Sequence, residues 1–209
     1  MHALVVVAHP EPSSLSQAIG ARIAAGIAQS GHTAEIADLA AEGFDPRFTP
    51  ADLAVHRRRG PAPADVVRER TRIDRADALV LVYPVYWWSI PALLKGWIDR
   101  VFSNGWAFDF SLGGRLEKKL RRLQVQLVAV AGADAHTYAR HGYFGAMKLQ
   151  IDHGIFDYCG ARVIGSELLL ESETRDPQVP LAAAGVIGQG LFSTTGKQGE
   201  QVPCPASAA

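Results

Sequence analysis

Asp77-Ala78-Leu79-Val80-Leu81-Val82-Tyr83-Pro84-Val85-Tyr86-Trp87-Trp88-Ser89-Ile90-Pro91 is the stretch on which the fold turns. Its first seven residues form a short apolar run rich in β-branched side chains. That is the pattern of a strand buried on both faces, as in a parallel sheet. The run enters a loop at Pro84, and Ser89 opens a helix. On that helix Ile90, Leu93, Leu94, Trp97, Ile98, Val101 and Phe102 recur at helical spacing on one face. Pro91 falls in its first turn, where a missing N–H costs nothing. Lys95 and Asp99 make an exposed i,i+4 pair, and Trp97 lies on the core side.

The same alternation extends outward from this unit. Ala3 to Ala8 reads as a first buried strand, followed by a Pro- and Ser-rich turn at His9 to Ser14. Leu15 to Gln29 is a helix with Ile19, Ile23 and Ile27 on one side, and Thr33 to Leu39 is a second strand. Ala41 to Pro63 is looser, and Ala64 to Ala76 is a charged helix. Leu123 to Ala131 and Arg162 to Leu170 are further strands. A helix over much of Tyr143 to Tyr158 stands between them and ends at Gly160. The order predicts an α/β fold with a doubly wound five-stranded parallel sheet and helices on both faces. Residues 1–192 form one expected domain. Pro177, Pro180 and five later glycines leave room only for a short closing helix over Ala182 to Phe192, and residues 193–209 read as a flexible tail.

Composition narrows the function classes. The 209 residues carry 21 Lys+Arg and 21 Asp+Glu, so the formal net charge is zero. A nucleic-acid or anionic-membrane surface would show a basic bias. The two cysteines, Cys159 and Cys204, suggest neither a disulfide framework nor a metal site. With no signal segment and no apolar run near 20 residues, the expectation is a cytoplasmic protein.

In a doubly wound sheet, ligands bind beyond the carboxyl ends of the strands, at the topological switch point. Three loops follow from that. The first, His9 to Ser16, leads into a helix N-terminus whose free N–H groups suit an anion, with Ser13, Ser14 and Ser16 adding hydroxyls. On spacing alone an ordinary capped strand-to-helix turn is the first reading, with phosphate binding the alternative. The second, Pro84 to Ser89, holds two adjacent tryptophans, which either pack a flat ring system or fill core and interface. The third starts at Gly132, where a ligand can approach backbone closely, with Asp134, His136, Tyr138, Arg140, His141 and Tyr143 behind it. The run Arg57-Arg58-Arg59 is either a solvated loop or a site for the phosphate of NADPH.

Ala8-His9-Pro10, the loop Tyr83 to Pro91, and Leu94-Lys95-Gly96-Trp97-Ile98-Asp99-Arg100-Val101-Phe102 together resemble the NAD(P)H:quinone oxidoreductase (DT-diaphorase) family. The bacterial branch, which includes ancillary subunits of glutathione-gated potassium efflux systems, is at least as similar. Tyr158-Cys159-Gly160 fits as well, and the resemblance runs from about residue 3 to 172. It implies a flavodoxin-like fold, a flavin (FMN or FAD) and NAD(P)H as reductant. It also implies a ping-pong hydride transfer to a quinone or related aromatic acceptor and a homodimer.

By position in the family, His9, Ser14, Leu15 and Ser16 would hold the flavin phosphate. Pro84, Val85, Tyr86, Trp87 and Trp88 would line the ring. Ala131, Gly132, Ala133, Asp134 and Tyr138 would meet its N1/O2 edge. Tyr138, Trp87 and His141 are the candidates for catalysis, and Trp88, Phe108, Phe110 and Tyr143 the candidates for substrate contact. A regulatory subunit docked on a potassium efflux transporter, and a pathway-specific reductase of a polycyclic metabolite, are the alternatives.

Three departures from the family matter. The third loop reads Val130-Ala131-Gly132-Ala133 in place of Thr-Thr-Gly-Gly, so two hydroxyls are missing. Phe144 stands where the animal enzymes have a histidine partner for the tyrosine. Phe108 and Phe110 replace tyrosines that roof the substrate pocket.

Overall fold

The computed structural model describes residues 1–110 and 114–193. Five parallel strands form the main sheet: β1 (His2–Val7), β2 (Thr33–Asp38), β3 (Ala78–Pro84), a fourth at Gln124–Val130 and a fifth at Arg162–Leu169. Between β3 and the fourth lie two-residue strands β4 (Phe108–Asp109) and β5 (Glu117–Lys118), which pair antiparallel. The last two long strands are therefore β6 and β7. The order across the sheet is β2-β1-β3-β6-β7. This is the flavodoxin-like doubly wound arrangement expected from the sequence, with its switch point between β1 and β3.

The helices cover both faces, which is why the central strands are apolar throughout. On one face, α1 (Leu15–Gln29) and α7 (Gln178–Gly190) enclose Val5, Val7, Val80, Val82 and Val128 together with Ile19, Ile23 and Ile27. On the other lie α3 (Ala64–Arg75), α4 (Ala92–Val101) and a ten-residue π-helix (Lys148–Asp157) that continues α6 (Tyr143–Met147). Trp97, fully buried among them, donates its Nε1–H to Glu69 at 3.0 Å.

Local chemistry moved several boundaries. The helix expected to open at Ser89 begins at Ala92, with Pro91 as its extended N-cap, because Ser89 is committed to a turn. Within the stretch read as loose, α2 (Pro50–His56) forms behind a Thr49/Asp52 capping box. The closing helix is longer than expected. Pro180 sits in its first turn, where no N–H is needed. Its glycines also have a structural reason. A Cβ on Gly188 would lie 2.2 Å from the carbonyl oxygen of Ile23, and one on Gly26 would lie 2.6 Å from that of Gly185. The glycines are the contact surface of α1 against α7. Past residue 193, the expected tail lies outside the described residues.

Two buried arginines fasten the loops beneath the sheet. Arg100 reaches Asp52 at 3.1 Å, Asp65 at 2.6 Å and the Asp45 carbonyl at 2.8 Å. Arg72 binds Glu35, Glu42 and Glu69.

Candidate flavin site

The three loops singled out in the sequence lie side by side at the carboxyl edge of β1, β3 and β6, because those strands are neighbours in register. In the first, Ser14 caps α1 by accepting from the N–H of Gln17 at 3.3 Å. Ser13 donates to Glu11 and is thereby occupied. His9 accepts from the N–H of Glu11 through Nδ1 at 3.0 Å, and among the described residues its other ring nitrogen has no partner. Ser16 is buried and Leu15 half-buried.

The second loop is the most constrained. Val85 donates its N–H to Val130 at 2.8 Å, tying the loop to β6. Tyr86 and Ser89 exchange two backbone hydrogen bonds of 3.1 Å. The two residues between them, Trp87 and Trp88, have φ of +49° and +61°. A tight turn with left-handed conformation at both centres normally takes Gly or Asn. Two tryptophans there cost about 1–2 kcal/mol each. Such strain clusters at ligand-binding sites. The turn throws Trp87 into solvent at 92% exposure. Trp88 folds inward, stacked on Tyr143 at 3.9 Å and edge-on to Tyr138 at 5.5 Å. His141 stacks on the far side of Tyr143 at 5.2 Å.

In the third loop Asp134 caps α5 (Ala135–His141), accepting from the N–H of Thr137 at 2.8 Å. Hydrogen bonds from Thr137 hold its carboxyl below the usual range. Ala131 is fully engaged, donating to Leu169 and accepting from Ser172. Tyr138 is buried at the root of the loop, and burial pushes its phenol upward.

Whether a flavin fits can be judged from the unmade hydrogen bonds. Among the described residues, none accepts from the N–H groups of Leu15 and Ser16, of Trp87 and Trp88, or of Gly132 and Ala133. Six donors from three loops thus converge on one edge with no internal partner. The first pair, at a helix N-terminus, suits a phosphate. The other two pairs suit the carbonyl and nitrogen edge of a planar ring, with Trp87 and Trp88 supplying aromatic faces. The missing hydroxyls at Val130 and Ala131 leave these backbone donors intact.

Not all the candidates meet. Phe108 packs against Tyr158 and His56, at the far end of α4 from the tryptophan turn, roughly 15 Å along the helix. There it lines a cavity of about 290 Å³ with Phe48, Ile98 and Phe102. Phe110, held by Asn104, is 46% exposed. The proposed roof and the proposed ring site are therefore separate within one chain. Arg58 of the arginine run is engaged by Asp109 on that same distant side, leaving Arg57 and Arg59 exposed.

Two features had no sequence signal. Glu171, with φ of +59°, bonds to Ala133, and Ser172 bonds to Ala131, so the segment after β7 closes over the third loop. Its Glu173 carboxylate stands 3.6 Å from where a Gly132 Cβ would be. Asp152 of the π-helix and Tyr83 share a small cavity behind the second loop.

Known proteins place this geometry. The human protein named ribosyldihydronicotinamide dehydrogenase [quinone] is 29% identical over 97% of this chain and 95% of its own. A Haemophilus influenzae protein named uncharacterized NAD(P)H oxidoreductase is 31% identical over 88% of this chain and 93% of its own. The solved NAD(P)H:quinone oxidoreductase of Methanothermobacter marburgensis superposes with a TM-score of 0.84 at 27% identity, covering 91% of this chain and 98% of that one. No helix among the described residues is long and apolar enough to cross a membrane. The family model for the flavodoxin-like fold matches residues 1–187, and this chain belongs to that family.

Proposed function

We propose that the protein is a flavin-dependent NAD(P)H oxidoreductase that passes a hydride to a quinone or related aromatic acceptor. The observation that carries this reading is the strained Trp87-Trp88 turn, facing unpaired N–H groups from three adjacent loops. Relatives spanning nearly the whole chain carry names of that activity. A bound flavin would supply the ring position that accepts hydride from NAD(P)H and yields it to the acceptor. Leu15 and Ser16 would hold its phosphate by their N–H groups. Trp87, Trp88, Gly132 and Ala133 would fix the ring. Tyr138 would supply an O–H where negative charge develops, a preorganised electrostatic contribution. Trp88 and Tyr143 would form the wall on which nucleotide and acceptor stack in turn, giving ping-pong kinetics.

A homodimer completes this reading. Trp87 and Phe110 are large exposed aromatics that a single chain leaves uncovered, and an apolar roof over the ring is supplied when Phe110 of a second copy faces it.

Absorbance of the purified protein, followed by anaerobic titration with NADH and with NADPH, tests the proposal. The expected result is a flavin spectrum bleached by at least one nucleotide and restored by menadione. A protein that neither carries nor takes up FMN or FAD refutes it.

A further inference from the structure

The strand β7 ends at Leu169, but the chain stays paired to the third loop for several residues more. Ala131 donates its N–H to Leu169 at 2.8 Å, Ser172 donates to Ala131 at 3.0 Å, and Glu171 donates to Ala133 at 3.3 Å. With Glu171 at φ +59°, the chain turns, and Thr174 and Arg175 donate to the Glu171 carbonyl at 3.0 and 2.9 Å. Glu171, Glu173 and Asp176 are the acidic side chains of this turn. The Arg175 guanidinium neutralises Glu171 at 2.7 Å, and Asp176 accepts the N–H of Gln178 at 2.9 Å. On the loop below, Asp134 is held by Thr137. Among the described residues, no hydrogen bond or ion pair engages the Glu173 carboxylate. It rests on the loop instead, with one oxygen 3.6 Å and its carbon 3.8 Å from where a Cβ on Gly132 would be. An unneutralised carboxylate is thus fixed beside the Gly132 and Ala133 N–H groups, which themselves have no partner.

We infer that the Glu173 carboxylate lowers the reduction potential of a flavin held on the Gly132 loop, shifting the balance toward hydride departure to the acceptor and away from hydride arrival from NAD(P)H. The inference rests on the hydride-transfer reading above, in which Gly132 and Ala133 meet the N1/O2 edge of the ring. A hydride carries two electrons and one proton. NAD(P)H that gives it up becomes NAD(P)+, and a neutral ring that gains it becomes an anion with its charge at that edge. The backbone donors and the Tyr138 O–H favour the anion. Glu173 opposes it, as a like charge beside the same edge. Passing the hydride to a quinone, which takes one proton from solution as well, returns the ring to neutrality and ends the repulsion. Glu173 acts only through its charge, so it tunes the equilibrium without being a catalytic residue.

The size of the effect follows from exposure. Glu173 is exposed, so water and salt screen its charge. Arg175, the nearest cation in the sequence, is already committed to Glu171. Two unit charges a few ångströms apart in such a setting change an equilibrium about tenfold, a value between the bulk-water and protein-surface limits. For a two-electron couple, a tenfold change is about 30 mV. The same screening sets a salt dependence, because the Debye length shrinks from about 10 Å at 0.1 M to about 3 Å at 1 M.

The test uses the full-length protein loaded with FMN or FAD, its potential read by anaerobic equilibration with reference dyes. Glu173→Gln should raise the potential by about 30 mV, the equivalent of the tenfold change. Glu173→Lys should raise it further, and Glu173→Asp, which keeps the charge, should stay near wild type. Glu167→Gln removes the same charge from β7 opposite Val128, about 13 Å of strand short of Gly132, and should leave the potential unchanged. Raising the salt to 1 M should shrink the gap between wild type and Glu173→Gln. Affinity for oxidised FMN, read by fluorescence titration, should not change, because the oxidised ring is neutral. In rapid mixing, Glu173→Gln should be reduced faster by NADH or NADPH and reoxidised more slowly by menadione. Equal potentials in wild type, Glu173→Gln and Glu173→Lys overturn the inference. An equal shift in Glu173→Asp and Glu173→Gln also overturns it, since shape rather than charge would then be at work. A protein that takes up neither FMN nor FAD sinks the functional reading and this inference together. A bound flavin that nucleotide reduces but whose potential ignores Glu173 sinks the inference alone.

Discussion

Replacing Trp87 by glycine should stabilise the flavin-free protein while weakening flavin binding. The tryptophan sits at φ +49° and is 92% exposed, so it contributes strain and almost no burial. Left-handed backbone costs a non-glycine residue about 1–2 kcal/mol. Glycine returns about 0.4–1 kcal/mol of that through the greater freedom of the unfolded chain. The net gain is about 0.5–1 kcal/mol, or about 2 °C in the thermal midpoint of a domain this size. Trp88→Gly makes the contrasting case. It has the same strain at φ +61° but loses the stack on Tyr143, so it should destabilise by about 1–3 kcal/mol. Urea denaturation of the flavin-free variants measures both effects, and fluorescence titration with FMN and FAD measures the cost to binding. Trp87→Gly should weaken the flavin about threefold to tenfold, the worth of one aromatic contact. A loss of stability in Trp87→Gly at every protein concentration refutes the strain argument. A loss that appears only at high concentration means that a second copy covers Trp87.

The remaining predictions concern the frame around the site. Burial pushes the Cys159 thiol up to about 12, so in a Cys204→Ser background no thiol should react with a disulfide reagent at pH 8 until the protein is denatured. Arg100→Ala leaves the buried Asp52 carboxylate without its cation and should cost about 3–5 kcal/mol in chemical denaturation. Burial alone would raise Asp65, but the Arg100 guanidinium overrides it and holds the carboxyl below its ordinary 3.8. The stability Asp65 contributes is therefore complete above about pH 4 and lost as pH falls through the folded value, and Asp65→Asn should flatten acid denaturation in that window. Gly188→Ala places a methyl 2.2 Å from the Ile23 carbonyl and should lower stability by about 1–3 kcal/mol, read as a lower thermal midpoint.

Much of the site was legible because it is contiguous in the chain. The turn from Pro84 to Ser89, the serine-capped start of α1 and the Gly132 loop each follow a buried strand, and periodicity locates those strands. What the sequence left open at Trp87 and Trp88, ring site or interior filler, the structure answers differently for each. One points to solvent and the other packs on Tyr143. The helix α2 is hard to see in the sequence because its cap, Thr49 with Asp52, stands among prolines and arginines that read as loop. α7 runs longer than its sequence suggests because its glycines, which locally weaken a helix, are where α1 comes close.

By itself, then, the sequence determined the order of strands and helices, the α/β class and the three loops that reach the ligand edge. Those follow from side-chain periodicity and local turn chemistry, which act over a few residues. Only the tertiary structure decided which side chains share a space. Phe108 and Phe110 lie a helix length from Trp88. Glu173 stands over Gly132, and Tyr83 and Asp152, far apart in the chain, line one small cavity. Such contacts depend on sheet order and on the register of a π-helix, and these arise from packing the whole chain at once.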